Sequence, residues 1–107
     1  MRVEEITVEE LKRKLDDGED VLILDVRDKN EYDVCNIGGQ LIPLGELASR
    51  LSEVGKGKPI VVHCKGGGRS AKAVEFMQKN GYGDVKNLAG GISAWVDRID
   101  PSMARYW

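Results

Sequence analysis

Residues 60–70 read Ile60-Val61-Val62-His63-Cys64-Lys65-Gly66-Gly67-Gly68-Arg69-Ser70, and the fold turns on them. An apolar run leads into a cysteine, then three glycines and two cations follow. Beyond them Ala71, Val74 and Met77 recur at helical spacing as far as Asn80-Gly81. The pattern predicts a buried strand, a tight loop and a helix, with a thiol at the mouth of the loop. Glycine lets successive backbone N–H groups turn to one side and form a nest for an anion. The positive end of the following helix adds to that field. A cysteine placed there ionises readily, because its thiolate is the anion the loop can hold. Cys64 is the candidate nucleophile.

Composition bounds what such a thiol can serve. The 107 residues, 41% hydrophobic and 32% charged, describe one soluble globular domain, 1–107, closed by a short tail at 100–107. A net charge of −2 lacks the basic face of a nucleic-acid binder. Apolar runs such as Val21-Leu22-Ile23-Leu24 are too short to span a bilayer. The acidic N-terminus carries no signal-peptide core, which points to the cytoplasm. Cys35 and Cys64 are too few for a disulfide framework and have no metal-ligand spacing, so two free thiols and no metal or cofactor are expected.

Outward from the loop, the chain alternates strands and helices. Thr7-Val8-Glu9-Glu10 reads as a capping box opening a helix with Val8, Leu11 and Leu15 on one face, stopped at Gly18. Val21 to Val26 is an apolar run suited to a parallel strand covered on both faces. Asp25 and Arg27 stand at its carboxyl end, where open α/β sheets place ligands. A short helical turn and loop fill 28–39, then a brief strand, Gln40-Leu41-Ile42, ends at Pro43. Leu44, Leu47, Leu51 and Val54 repeat at helical spacing before Gly55. Asp84 to Leu88 is the last strand, and Ala89-Gly90-Gly91 leads to a helix carrying Ile92, Trp95 and Ile99. Alternation over short connections implies α/β architecture, a parallel sheet with helices on both faces. The tail has no period, and its aromatic end is expected to pack back on the domain.

Four stretches in order resemble the rhodanese-like sulfurtransferases over nearly the whole chain. They are Leu24-Asp25-Val26-Arg27 with Glu31-Tyr32, Ile37-Gly38-Gly39 leading to Ile42-Pro43, the Cys64 to Arg69 loop, and Leu88-Ala89-Gly90-Gly91-Ile92-Ser93-Ala94-Trp95. The stretch from Cys35 to Pro43 and the tail's Ile99-Asp100-Pro101 look like the rhodanese domain attached to adenylyltransferases that activate ubiquitin-like sulfur carriers. Many other members have Gly-His where this chain has Cys35-Asn36. The resemblance implies a central parallel sheet of about five strands. It also implies transfer of sulfane sulfur through a Cys64 persulfide. The donor would be thiosulfate or a persulfide, and the acceptor cyanide, a thiol or a sulfur-carrier protein.

In that chemistry the loop from Lys65 through Gly66, Gly67, Gly68 and Arg69 to Ser70 cradles the sulfur. Lys65 either attracts an anionic donor or is a solvated cation. Arg69 reads as a loop organiser aimed at carbonyls or a carboxylate rather than an attractor of an anionic donor, and Ser70 as the helix N-cap, with an added bond to the sulfur as the alternative. Asp25 and Arg27 are expected to support the site by pairing. His63 reads as a satisfied core imidazole, Trp95 as core, and Cys35 as a small buried hydrophobe rather than a resolving thiol. Two rival classes remain. A cysteine phosphatase or arsenate reductase also sets a thiolate in an anion loop, but its loop is wider by one residue than the four between Cys64 and Arg69. A non-catalytic interaction module would not need Cys64.

Overall fold

In the computed structural model, which describes residues 2–107, the run Ile60–His63 is a strand buried along its whole length. It lies at the middle of a five-stranded sheet. The strands are β1 (Glu5–Ile6), β2 (Leu22–Asp25), β3 (Gln40–Leu41), β4 (Ile60–His63) and β5 (Val85–Leu88), in spatial order β1-β5-β4-β2-β3. Every pairing is parallel. Parallel neighbours need crossover connections, and these carry the helices α1 (Val8–Asp16), α2 (Lys29–Val34), α3 (Leu47–Arg50), α4 (Gly68–Lys79) and α5 (Gly91–Arg98). The central strands are therefore covered on both faces and have no polar side.

Alternation along β4 assigns the two layers. Val61 faces Val8 and Leu11 of α1 and Trp95 of α5, together with Ile6 and Leu88. Ile60 and Val62 face Ala73, Val74 and Met77 of α4 and Leu47 of α3. Residues of one strand two apart share a face, so Asn87 points with Val85 toward α4, and His63 with Val61 toward the other layer. The Thr7–Glu10 capping box forms as expected. Among the described residues, no helix is long and apolar enough to cross a membrane.

Several local expectations are corrected. The apolar spacing over 44–54 predicts one helix; the chain instead makes a 3-10 turn (Leu44–Glu46), the single turn α3 and a second 3-10 turn (Leu51–Glu53). The Tyr82 hydroxyl donates to Val54 O at 2.6 Å, satisfying from outside a carbonyl that a longer helix would satisfy within, and lies 3.1 Å from Leu51 O, which accepts Val54 N–H. Strand β1 falls in a stretch read only as an acidic terminus, since two residues are too short to show alternation. His63 is fully buried, but neither ring nitrogen has a hydrogen-bond partner. The nearest acid, Asp25 Oδ2, stands 3.6 Å from Nε2. The tail does pack back: Tyr106 and Trp107 lie against Cys35, Ile92 and Val96.

Candidate active site

Cys64 follows the last residue of β4 and is 2% exposed. The chain then turns within three residues into α4, whose N-cap is Gly67 at φ +116°. That is left-handed backbone, and only glycine adopts it freely. Ser70 is therefore not the N-cap but sits inside the first turn, fully buried. From there its N–H and hydroxyl both reach the sulfur. Cys64 Sγ receives Gly67 N–H at 3.1 Å and Ser70 N–H at 3.4 Å, and lies 3.3 Å from Ser70 Oγ. Burial pushes the Cys64 thiol up, but the Ser70 hydroxyl and the N–H groups of Ser70, Gly67 and Gly66 outweigh it and hold the thiol below its ordinary value. The positive end of a three-turn helix acts in the same direction.

The opposite side of the loop rests on α5. Ile92 N–H bonds Cys64 O at 2.9 Å and Ser93 N–H bonds Lys65 O at 3.0 Å. With those carbonyls drawn outward to one helix N-terminus, the loop's N–H groups are left facing the sulfur. The approach needs a residue without a side chain at Gly91, where φ is +59° and a Cβ would meet Cys64 O at 2.5 Å.

Arg69 is 36% exposed and turned away from the sulfur, donating to Glu31 Oε1 at 2.7 Å and Oε2 at 3.0 Å. This is the carboxylate its guanidinium was expected to find. Tyr106 O–H and Asp28 N–H also donate to Glu31, at 2.6 Å and 3.1 Å. Arg69 first, and these two donors with it, overcome burial and hold Glu31 down to about 2. Lys65 is exposed and forms no ion pair among the described residues.

Asp25 and Arg27 pair as expected, fully buried, with Arg27 Nη2 2.7 Å from Asp25 Oδ2. Arg27 also donates to Cys35 O at 2.8 Å, and its Nη1 lies 3.5 Å from the Tyr106 hydroxyl. Among the described residues none of these side-chain bonds reaches the Cys64 loop, so the pair braces the wall behind Glu31. Cys35 is a buried free thiol under the tail, beside Ile92 and Val96.

Four residues of this arrangement were not singled out from the sequence. Glu31 was read only as part of the first stretch resembling the family, and Gly91 only as part of the last. Asn87 was detectable as a polar residue inside the strand run Val85-Lys86-Asn87-Leu88. Tyr106 gave no signal, because it lies in a stretch without periodicity.

Comparison with known proteins agrees with the fold. Residues 7–98 match the model of the Rhodanese-like domain. A sulfurtransferase of Allochromatium vinosum is 40% identical over 103 residues, covering 95% of this chain and 96% of that protein. A probable adenylyltransferase/sulfurtransferase, MoeZ, of Mycobacterium tuberculosis is 39% identical over 104 residues, covering 94% of this chain but 26% of that protein. This chain thus spans about a quarter of the longer relative. Among solved structures, reduced Bacillus anthracis CoADR-RHD superimposes with a TM-score of 0.83 at 31% identity, over 96% of this chain and 18% of that one. A parallel five-stranded α/β sheet, a family match over most of its length and a sulfurtransferase relative of the same extent make this chain a member of the rhodanese-like family.

Proposed function

We propose that Cys64 is the nucleophile of a sulfurtransferase and carries sulfane sulfur as a persulfide. The observation that supports this best is the convergence of Gly67 N–H, Ser70 N–H and the Ser70 hydroxyl on one buried sulfur at a helix N-terminus. In the first step the thiolate attacks the outer sulfur of a donor. With thiosulfate the S–S bond breaks, sulfite leaves with its electron pair, and Cys64-S-S⁻ remains. In the second step a nucleophile such as cyanide or a thiolate takes the outer sulfur, and Cys64 departs as thiolate. A lowered thiol pKa helps both steps, raising the thiolate fraction and its leaving ability. The loop from Lys65 to Ser70 holds the charge, and preorganised donors of this kind are worth a few kcal/mol each where water is excluded.

The likeness to MoeZ supports a sulfur-carrier protein as acceptor, with its carboxyl terminus activated on another domain or chain. Two free thiols support work in the reducing cytoplasm.

Mass spectrometry after incubation with thiosulfate tests the proposal: Cys64 gains one sulfur atom, and Cys64→Ser gains none. An unmodified Cys64 under thiosulfate, alkyl persulfide and protein persulfide donors alike overturns it. Aryl-phosphate hydrolysis that disappears in Cys64→Ser would instead favour a phosphatase.

A further inference from the structure

Asn87 lies on β5 opposite the first turn of α4, with its carboxamide between three groups. Nδ2 stands 3.2 Å from Gly67 O and 3.3 Å from Glu5 Oε2. Both are acceptors, so the amide nitrogen must face them and the amide oxygen must face Ser70. Ser70 O–H accordingly donates to Asn87 Oδ1, at 2.5 Å. A serine hydroxyl has one proton, and the same Oγ is 3.3 Å from Cys64 Sγ. With Cys64 protonated the inventory closes: the thiol donates to Ser70, and Ser70 donates to Asn87. With Cys64 ionised it does not close. The thiolate then needs the proton that Ser70 donates to Asn87.

We propose that Asn87 is a positioning residue that competes with Cys64 Sγ for the single proton of the Ser70 hydroxyl, coupling the charge on the sulfur to one rotation of that hydroxyl. In the thiol, Ser70 points to Asn87. In the free thiolate it points to Sγ and leaves Asn87 Oδ1 unpaired. Once the sulfur bears a second sulfur atom, Sγ is neutral again and Ser70 returns to Asn87. Asn87 thereby favours the sulfur-loaded cysteine over the free thiolate, which preserves the carried sulfur until an acceptor arrives. This consequence rests on the proposed sulfur transfer; the proton competition does not.

The other charged or titratable groups around the loop do not share that proton. Glu5 of β1 accepts from Asn87 on its far side. Arg69 is taken by Glu31, with Tyr106 and Arg27 behind it. Lys65 is exposed, and burial holds His63 below its ordinary value and uncharged. The N-terminus of α5 bonds the carbonyls of Cys64 and Lys65 rather than the sulfur.

The pH dependence of Cys64 alkylation by iodoacetamide, read on the Cys64 peptide by mass spectrometry, tests the proposal. Asn87→Ala is expected to lower the Cys64 pKa by roughly half to one pH unit, the equivalent of one freed hydrogen bond. Ser70→Ala is expected to raise it, and adding Asn87→Ala to Ser70→Ala to leave it unchanged. If Asn87 merely braced Gly67, its removal would loosen a donor to the sulfur and raise the pKa. A rise or no change in Asn87→Ala overturns the proposal, as does an equal fall in the Ser70→Ala background. Should Asn87→Ala not fold, the wild-type chain answers by NMR. The Asn87 carboxamide carbon is expected to shift with Cys64 ionisation, and a flat signal overturns the proposal. A chain that never accepts sulfur would end the transfer reading and leave these titrations intact.

Discussion

The Tyr106 hydroxyl donates to Glu31 Oε2 at 2.6 Å, across 75 residues of sequence. The same carboxylate grips both terminal nitrogens of Arg69, the last cation of the Cys64 loop. The tail therefore bears on the loop through one carboxylate, although it lies beyond the span matched by the family model. Tyr106→Phe keeps the ring edge-to-face with Trp107, 5.0 Å between centroids, and deletes only the donor. The Glu31 carboxyl, held near 2 by Arg69 and these donors, is expected to titrate higher by NMR. Sulfur-transfer kcat/KM is expected to fall about 2- to 10-fold, in keeping with one hydrogen bond. An unchanged Glu31 titration would contradict the link.

Gly91→Ala tests the support from α5. The new methyl must take a left-handed φ and push against the carbonyls of Lys65 and Cys64. The expected cost is about 1–3 kcal/mol of stability, from strain and overpacking together. Because the carbonyls would no longer be drawn outward, the Cys64 thiol should titrate higher. Urea denaturation and the alkylation pH profile measure the two effects separately.

Acid should weaken the fold in two stages. Burial holds folded His63 below its ordinary value of about 6.5, so the unfolded chain binds that proton first and stability declines as pH falls below about 6.5. Glu31 is depressed from 4.5 to about 2 in the fold. Its contribution is complete above 4.5 and is lost progressively as pH falls toward 2. Urea midpoints measured from pH 8 downward should show both stages. His63→Phe should erase the upper stage and spare the lower.

The Asp25–Arg27 pair has no exposed surface on either side chain. Arg27→Met leaves the Asp25 carboxylate buried and unpaired, with an expected cost of about 3–5 kcal/mol. Arg27→Lys should rescue little, because a single ammonium cannot reproduce the fork that meets Asp25 and Cys35 O together. Replacing both partners, as Asp25→Leu with Arg27→Met, should recover part of the loss in urea titrations.

Much of the molecule was legible because its signals are local. The apolar runs 21–26 and 60–63 gave the central strands, and glycine punctuation around Cys64 gave the strand, loop and helix. The pairing of Asp25 with Arg27 and the carboxylate partner of Arg69 were likewise anticipated from residue type. What escaped depends on partners distant in sequence. Ser70 looked like a cap because serine before a helix usually is one. Here Gly67 takes that position, which frees the Ser70 hydroxyl for the sulfur and Asn87. His63 looked satisfied because buried imidazoles usually are. The Tyr82 hydroxyl that meets the end of the 44–54 stretch comes from far along the chain, and no pattern within that stretch records it.

The groups that touch Sγ all lie within a few residues of Cys64, yet what holds them in place arrives later in the chain. The amides that fix the Cys64 and Lys65 carbonyls belong to Ile92 and Ser93, in the last helix of the chain. An all-parallel sheet also pairs only through long crossovers, which close slowly compared with hairpins. During synthesis and early folding, then, Cys64 is an ordinary thiol with a pKa of about 8.5, mostly protonated at neutral pH. Its ionisation at neutral pH is therefore favoured by completion of the fold and not by the local sequence alone. The Cys64 thiolate fraction should accordingly report on tertiary structure, rising once α5 has docked.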